Sequence, residues 1–282
     1  MIRILTDDTA GFTCEDEQKY GIEIVRVAVT SFDEVEWYDR LTNSSVQEFY
    51  DKLADSEVFA KTGHTRKNFE EVFADGKNKD DEIIYFSLSN KLGGAISCAR
   101  QVKEMLGYDN LHIIDTFSVL AGHAMQVLEA VRLRDEMKMS AADIVAEITR
   151  LAQKAKCFMY LSTVKYLYKG GRTYGVTNLG CGGVLNLKAI VECKLANGLS
   201  VIGRRSGIKS SVKCLLDKLE KFDFDKSKPV YFSHSVAPEK CDMAIEMAKK
   251  IYNVKYGGSF FIPAVLGAHL GPRAIAIGFY VR

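Results

Sequence analysis

Three short segments of this chain place hydroxyls, carboxylates or paired glycines directly after an apolar run. Thr6-Asp7-Asp8-Thr9 follows Ile2-Arg3-Ile4-Leu5; Ser87-Leu88-Ser89-Asn90-Lys91-Leu92-Gly93-Gly94 follows the run that begins at Glu82; Asp115-Thr116-Phe117-Ser118 follows the run from Leu111. If those runs are parallel strands, the three loops gather outside the carboxyl ends of one sheet, where ligands bind. Gly93-Gly94 would turn backbone N–H groups and a helix start toward an anion. Any one loop is more simply explained by capping and turn chemistry; the three together mark a ligand site. A different chemistry is also open. Asp7, Asp8, Asp115 and His269 are the groups a phosphotransferase or hydrolase would use as metal ligands or as acid and base, with the adjacent Asp7-Asp8 pair as a Mg²⁺ site.

Other segments are less telling alone. Leu167-Tyr168-Lys169-Gly170-Gly171-Arg172 ends a helix on a glycine pair and presents an arginine suited to a carboxylate or phosphate. Gly203-Arg204-Arg205-Ser206-Gly207-Ile208-Lys209-Ser210 has the composition of a phosphate loop, but no glycine precedes the lysine and the spacing is wrong. It reads as a basic surface for a partner or as a solvated helix start. Gly267-Ala268-His269-Leu270-Gly271-Pro272-Arg273 puts a histidine in a segment read as turn-rich and otherwise apolar. There is no Gly-x-Ser-x-Gly elbow and no Gly-x-Gly-x-x-Gly fingerprint.

These residues need positioning elements. Ile2–Leu5, Ile22–Val29, Glu82–Ser87 and Leu111–Asp115 read as strands, alternating with helices over 43–53, around Phe69–Phe73, from Gly94 to Leu106 and from Ser118 onward. Val46, Phe49, Tyr50 and Leu53 recur at helical spacing. Such alternation predicts βαβ units and an α/β fold. A helix from Ser140 to about Lys156 ends the first half. Beyond it, strands at Cys157–Leu161, 185–193, 199–204, Val230–Ser233 and Ile275–Val281, with helices at Thr163–Lys169, Lys209–Phe222 and Ala237–Lys249, predict a second α/β unit. Its sheet is mixed because Asn197-Gly198 signals a hairpin. The expected domains are 1–156, a parallel α/β/α unit, and 157–282.

With 26% charged residues and a net charge of +2, no strong field points to a nucleic acid. No segment reaches the ~20 apolar residues of a membrane helix, and the opening residues do not resemble a signal peptide. The seven cysteines are scattered without Cys-x-x-Cys or His/Cys ligand spacing; reduced thiols in a cytoplasmic protein without a metal or cofactor are the expectation.

Taken in order, the segments resemble the DegV family, which includes the fatty-acid-binding subunits of bacterial fatty acid kinase. Thr6-Asp7-Asp8-Thr9-Ala10 is similar to the family's Thr-Asp-Ser-Thr-Ala, Lys61-Thr62-Gly63-His64-Thr65 sits at its Thr-Ser-x-Pro-Ser, and Leu92-Gly93-Gly94-Ala95-Ile96 sits at its Leu-Ser-Gly-Thr-Tyr. Ile114-Asp115-Thr116, Asn186-Leu187-Lys188 and Gly267–Pro272 match further elements, and Leu167–Arg172 is the most specific match. The resemblance implies a long-chain fatty acid held between two domains, its carboxylate near Thr62, Gly63, Ser89, Gly93, Gly94, Arg172 and His269. It further implies a carrier that is not itself an enzyme, presenting its ligand to the ATP-binding subunit of a kinase, with Arg204 and Arg205 facing that partner. The chain departs from the pattern at Gly63, Gly93 and Ala95, where the family has Ser, Ser and Thr, and at Asp8 and Ala189. A ligand other than a fatty acid therefore stays open beside the carrier and the enzyme.

Overall fold

The computed structural model describes residues 1–26, 28–30, 36–38, 43–55, 61–63, 66–170 and 188–282. The chain runs β1 (Ile2–Asp7), a 3-10 turn (Asp8–Ala10), α1 (Cys14–Tyr20), β2 (Ile22–Val25), β3 (Ala28–Thr30), β4 (Glu36–Tyr38), α2 (Asn43–Asp55), β5 (Lys61–Gly63), α3 (Arg66–Asn78), β6 (Glu82–Ser87), α4 (Ala95–Leu106), β7 (Leu111–Asp115), α5 (Ala121–Asp135) and α6 (Ala141–Ala152). It continues with β8 (Ala155–Leu161), α7 (Lys165–Lys169), β9 (Lys188–Lys194), β10 (Gly198–Arg205), α8 (Ile208–Lys221), β11 (Val230–His234), α9 (Pro238–Tyr252), β12 (Tyr256–Phe261), α10 (Ala264–Leu270) and β13 (Ile275–Tyr280).

The first sheet has the order β2-β1-β6-β7 and is parallel throughout. The second has the order β10-β9-β8-β13-β11-β12; only β11 and β12 run parallel. The two-sheet α/β architecture matches the expectation, including the hairpin, whose turn residue Gly198 has φ +71. A third sheet, β4-β3-β5, is antiparallel and small. It was not foreseen, because Ile22–Val29 reads as one continuous apolar strand. The strand instead ends at Val25, and Arg26 turns in to pair with Asp8 and Glu17. The segment Gly267–Arg273 also departs from its turn-rich reading, since its first four residues belong to α10. β12 was missed because Gly257-Gly258 interrupts its pattern. The helix starting at Ser140 stops at Ala152.

Local rules account for most of the rest. Thr13 and Asp16 form a reciprocal capping box at α1. The Ser140 hydroxyl accepts the Asp143 amide at the start of α6. Val46, Phe49, Tyr50 and Leu53 of α2 are all buried in one core.

Helix α5 is different. Eleven of its fifteen residues are buried, because it packs on β1 and β6 of the first sheet and on β8, β11, β12 and β13 of the second. Its first turn approaches the second sheet so closely that a Cβ on Gly278 of β13 would stand 2.5 Å from the Ala121 carbonyl carbon and 2.5 Å from the Gly122 nitrogen. A Cβ on Gly122 would in turn lie 2.7 Å from Cys157 Cβ of β8. The Cys157 thiol donates to the Val119 carbonyl just before the helix (3.2 Å), and burial pushes its pKa up to about 12.

Backbone cannot yield as a flexible side chain can. Gly278→Ala is therefore expected to destabilise the protein by about 1–3 kcal/mol or more. Gly94→Ala, whose Cβ would meet nothing within 4 Å, should stay within about 0.5 kcal/mol. Urea unfolding of both variants checks this; equal midpoints would refute the close-packing argument.

Candidate functional site

A cavity of about 260 Å³ opens between the two sheets. This is just under the ~300–1,000 Å³ usual for small-molecule pockets. The first sheet contributes the loops beyond its carboxyl edge: Thr9 after β1, Leu88 and Leu92–Ala95 after β6, and Val119 after β7. The second contributes Met159 of β8 and Leu199 of β10, and α10 contributes Val265, Leu266, His269 and Leu270. Gly63 of β5 completes the described wall. Apolar side chains dominate it, and Thr9 and His269 are its polar side chains among the described residues.

Of the sequence-predicted site residues, Gly63, Gly93, Gly94 and His269 meet at this cavity. Ser89 does not reach it. Ser89 is buried in the same loop, where its hydroxyl accepts the Lys91 amide (3.3 Å) and its own amide donates to the Ser118 carbonyl (2.9 Å). Thr62 pairs with Val29 in the small antiparallel sheet. Arg172 lies outside the described residues. Arg204 and Arg205 end β10 and are exposed. Arg204 stands opposite Ala189 and Arg205 opposite Lys188, so the two arginines take opposite faces of the sheet.

Sequence reading placed Thr9 in a ligand loop without naming it as a site residue, and it did not single out Met159, Leu199 or the apolar face of α10. The Leu199-Ser200-Val201 alternation in β10 carried a signal for Leu199, whereas β8 is apolar on both faces and nothing distinguished Met159. Nothing local marked α10.

The polar features have identifiable supports. Gly94 is the N-cap of α4 and gives it no side-chain cap, so the first amides of the helix keep their anion preference. Gly63, Gly93 and Gly94 all lack positive φ. A Cβ at Gly63 or Gly94 would meet nothing within 4 Å, and one at Gly93 only the Leu88 methyls at 3.7 Å. Neither backbone conformation nor packing requires glycine at these three positions. Gly170 is the opposite case. A Cβ there would collide with Nδ1 of His269, so Gly170 lies against this imidazole. On the other side of α10, the Tyr50 hydroxyl donates to the Ile262 carbonyl (2.8 Å), and a Cβ on Gly267 would stand 2.7 Å from Tyr50 Cζ.

Behind Thr9 lies a buried network. The Asp7 carboxylate accepts from the Thr9 amide (3.0 Å), from the Thr9 hydroxyl and from the Tyr85 hydroxyl (2.9 Å). With the Thr9 proton given to Asp7, His123 Nδ1–H donates to the Thr9 oxygen (3.2 Å), and Nε2 accepts from the Thr6 hydroxyl (2.9 Å). Burial, reinforced by Asp7, holds the Tyr85 phenol well above its ordinary range. Burial pushes His123 below its ordinary value, against the pull of Asp7 and the Phe86 carbonyl. Asp8 is ion-paired with Arg26 (2.9 Å). Asp115 caps its own loop, accepting from the Phe117 amide (2.8 Å), and burial raises its pKa. The carboxylates weighed for a metal or for acid–base catalysis are thus each committed to a structural partner. No cluster of three metal-ligating side chains occurs among the described residues.

His123 makes stability pH-dependent. Its folded-state pKa is depressed, so near the unfolded value of 6.5 the unfolded chain takes up a proton that the folded chain refuses. This stabilisation is complete above the unfolded value and is lost as pH falls below it, by at most about 1.4 kcal/mol per pH unit. His112 and His234 are shifted in the same direction by burial and add to the effect. The urea midpoint should fall between pH 7 and pH 5, and His123→Gln should flatten that slope. An unchanged slope would remove His123 from the account.

Fold and site together define an α/β protein whose two sheets close on a largely apolar ligand cavity. The chain belongs to the DegV family: the profile described as "uncharacterised protein, DegV family" matches residues 1–282. A DegV domain-containing protein of Listeria monocytogenes is 27% identical over 282 residues, covering 99% of this chain and 98% of that one. Two solved structures share the fold. A Thermotoga maritima protein, described as revealing fatty acid binding function, has a TM-score of 0.86 at 19% identity, covering 100% of this chain and 99% of that one. The Streptococcus pneumoniae fatty acid kinase B3 protein, solved loaded with linoleic acid, has a TM-score of 0.85 at 16% identity, with both chains covered fully.

Proposed function

We propose that this chain is a cytoplasmic lipid-binding protein. It holds the acyl tail of a long-chain fatty acid between its two units, 1–156 and 157–282, and presents the head to the ATP-binding subunit of a kinase for acyl-phosphate formation. The chain itself performs no chemistry. The observation that carries this reading is the cavity of about 260 Å³, walled by apolar side chains from both sheets, with Gly63, Gly93, Gly94 and His269 on its wall. The fatty acids in the structural relatives agree with it, and no helix among the described residues is long and apolar enough to cross a membrane.

In this reading the α4 amides, Thr62, Arg172 and His269 receive the carboxylate, Ser89 holds the loop that carries Gly93 and Gly94, and the Arg204–Arg205 end of β10 faces the partner. Burying a CH₂ group contributes ~0.8 kcal/mol, so a long tail supplies on the order of 10 kcal/mol before association costs. A hydrogen bond to a charged head adds only ~1.5–3 kcal/mol. Tail burial therefore dominates affinity, and the head contacts set selectivity.

Native mass spectrometry of protein purified from bacteria should find a bound lipid. Gly94→Leu, which fills the cavity from a position with free space around it, should abolish that mass while the chain stays folded. Protein that is empty and refuses added fatty acid would sink the proposal. Gly93→Ser adds a hydroxyl where the wall has room for one. It should tighten fatty acid binding by about tenfold or more, measured by competitive displacement of a fluorescent fatty acid. No gain would mean that the head lies elsewhere.

A further inference from the structure

A second hollow, a groove of about 710 Å³, runs along the second half of α5, whereas the apolar cavity reaches only Val119, before that helix begins. Its size falls within the usual range for small-molecule pockets. Lys19 and Tyr20 at the end of α1 stand on one side of it, and segment 227–229 with Tyr231 of β11 and Gly257 of β12 on the other. Leu128, Val131 and Pro229 give it an apolar lining.

Two polar features converge on this groove. The first is Glu129, which is 7% exposed. Arg132 donates to both its oxygens (Nε 3.1 Å, Nη2 2.9 Å), and Lys228 reaches it from the other unit (2.5 Å). Burial opposes ionisation, but these two cations hold the Glu129 pKa below the usual carboxylate range. Two cations on one carboxylate leave a single positive charge in excess. Arg132 keeps its Nη1 donors and Lys228 two of its three protons, with no other acceptor among the described residues. The other acids nearby are spoken for or stand on the rim: Asp135 holds Arg134, Glu147 holds Arg150, Asp225 accepts from Ser227, and Glu136 is exposed.

The second feature is Tyr231, a lining residue that is 9% exposed and makes no hydrogen bond through its phenol among the described residues. One ring face is stacked on Phe260. The ring edge lies on Gly257, where a Cβ would stand 2.5 Å from Tyr231 Cζ, so the hydroxyl end is at the groove. Burial, then the charge of Glu129, pushes its pKa up to about 12, and the phenol stays a donor. Phenylalanine would pack here as well; the hydroxyl has a use only toward something that enters the groove.

We propose that this groove is a second ligand site, which takes a small organic carboxylate with an apolar body. The Tyr231 hydroxyl and the remaining donors of Arg132 and Lys228 receive the carboxylate, and the body lies against Leu128, Val131 and Pro229. Donors outnumber open acceptors at the inner end, which selects an anion. The excess of one positive charge matches a carboxylate; a phosphate dianion would set a second negative charge beside Glu129 and the acidic rim.

The test uses the full chain and three probes of one shape, phenylacetate, 2-phenylethanol and phenethylamine, followed by calorimetry at constant ionic strength. Phenylacetate should bind saturably, the alcohol and the amine at least about tenfold more weakly, and added oleate should not displace it. Tyr231→Phe and Lys228→Gln should each weaken phenylacetate about tenfold or more. Lys67→Gln, an exposed charge on α3, should leave it unchanged. Tyr231→Phe gives up no partner within the described protein, so its Tm should hold or rise, separating lost binding from lost folding. Absence of saturable phenylacetate binding, equal binding of the three probes, displacement by oleate, or unaltered binding in both site variants would overturn the proposal.

Discussion

The contact on which this structure turns is between backbones: the first turn of α5 lies against Gly278 of β13 with no space for a single methyl group. A helix usually covers one sheet with one face. Here both faces of α5 are covered, and the helix serves as core for two sheets at once. That approach fixes how far apart the carboxyl edge of the first sheet and the face of the second can be. The cavity is the space left between them, so its width is set by a glycine-mediated contact next to Thr9 and Val119 of its lining. Of the polar side chains buried on α5, His123 is engaged through both ring nitrogens by Thr6 and Thr9, and Gln126 through Nε2 by the carbonyls of Thr116 and Gly122, leaving its Oε1 unpartnered among the described residues. A helix buried on every side remains tolerable only with such pairing.

The polar groups near the cavity divide by role. Asp7, Asp8 and Asp115 carry the charge that drew attention in the sequence, and each supports the loops. Among the described residues, what lines the cavity is quieter: the loop that starts α4, a threonine hydroxyl already committed to Asp7, and one imidazole on α10. That is a poor kit for moving protons or holding a metal, and an adequate one for receiving the polar end of a mostly apolar molecule.

Much of this was legible in advance. The strands Glu82–Ser87 and Leu111–Asp115 and the helices α2, α4, α8 and α9 follow from alternation, helical spacing and caps, and the hairpin from Asn197-Gly198. The ligand loops follow from where hydroxyls and glycines stand relative to the strands. What was not legible depends on distant contacts. Val25 and Ala28 belong to different sheets because Arg26 finds Asp8 and Glu17, and no local propensity encodes that ion pair. α10 is a helix because Gly267 lets it settle on Tyr50 of α2, more than two hundred residues away in sequence. The apolar wall that α10 adds was invisible for the same reason.

Gly63, Gly93 and Gly94 carry a consequence for how this protein can change. Most glycines at ligand sites are fixed by the turn they make or the surface they touch, and substitution there costs the fold. These three are bound by neither constraint. This part of the cavity wall can thus acquire hydroxyls, methyls or charges one residue at a time while α5 and its two sheets stay as they are. The wall of the cavity at these three positions and the packing that holds the fold are carried by separate residues, so the lining can change there without a cost in stability.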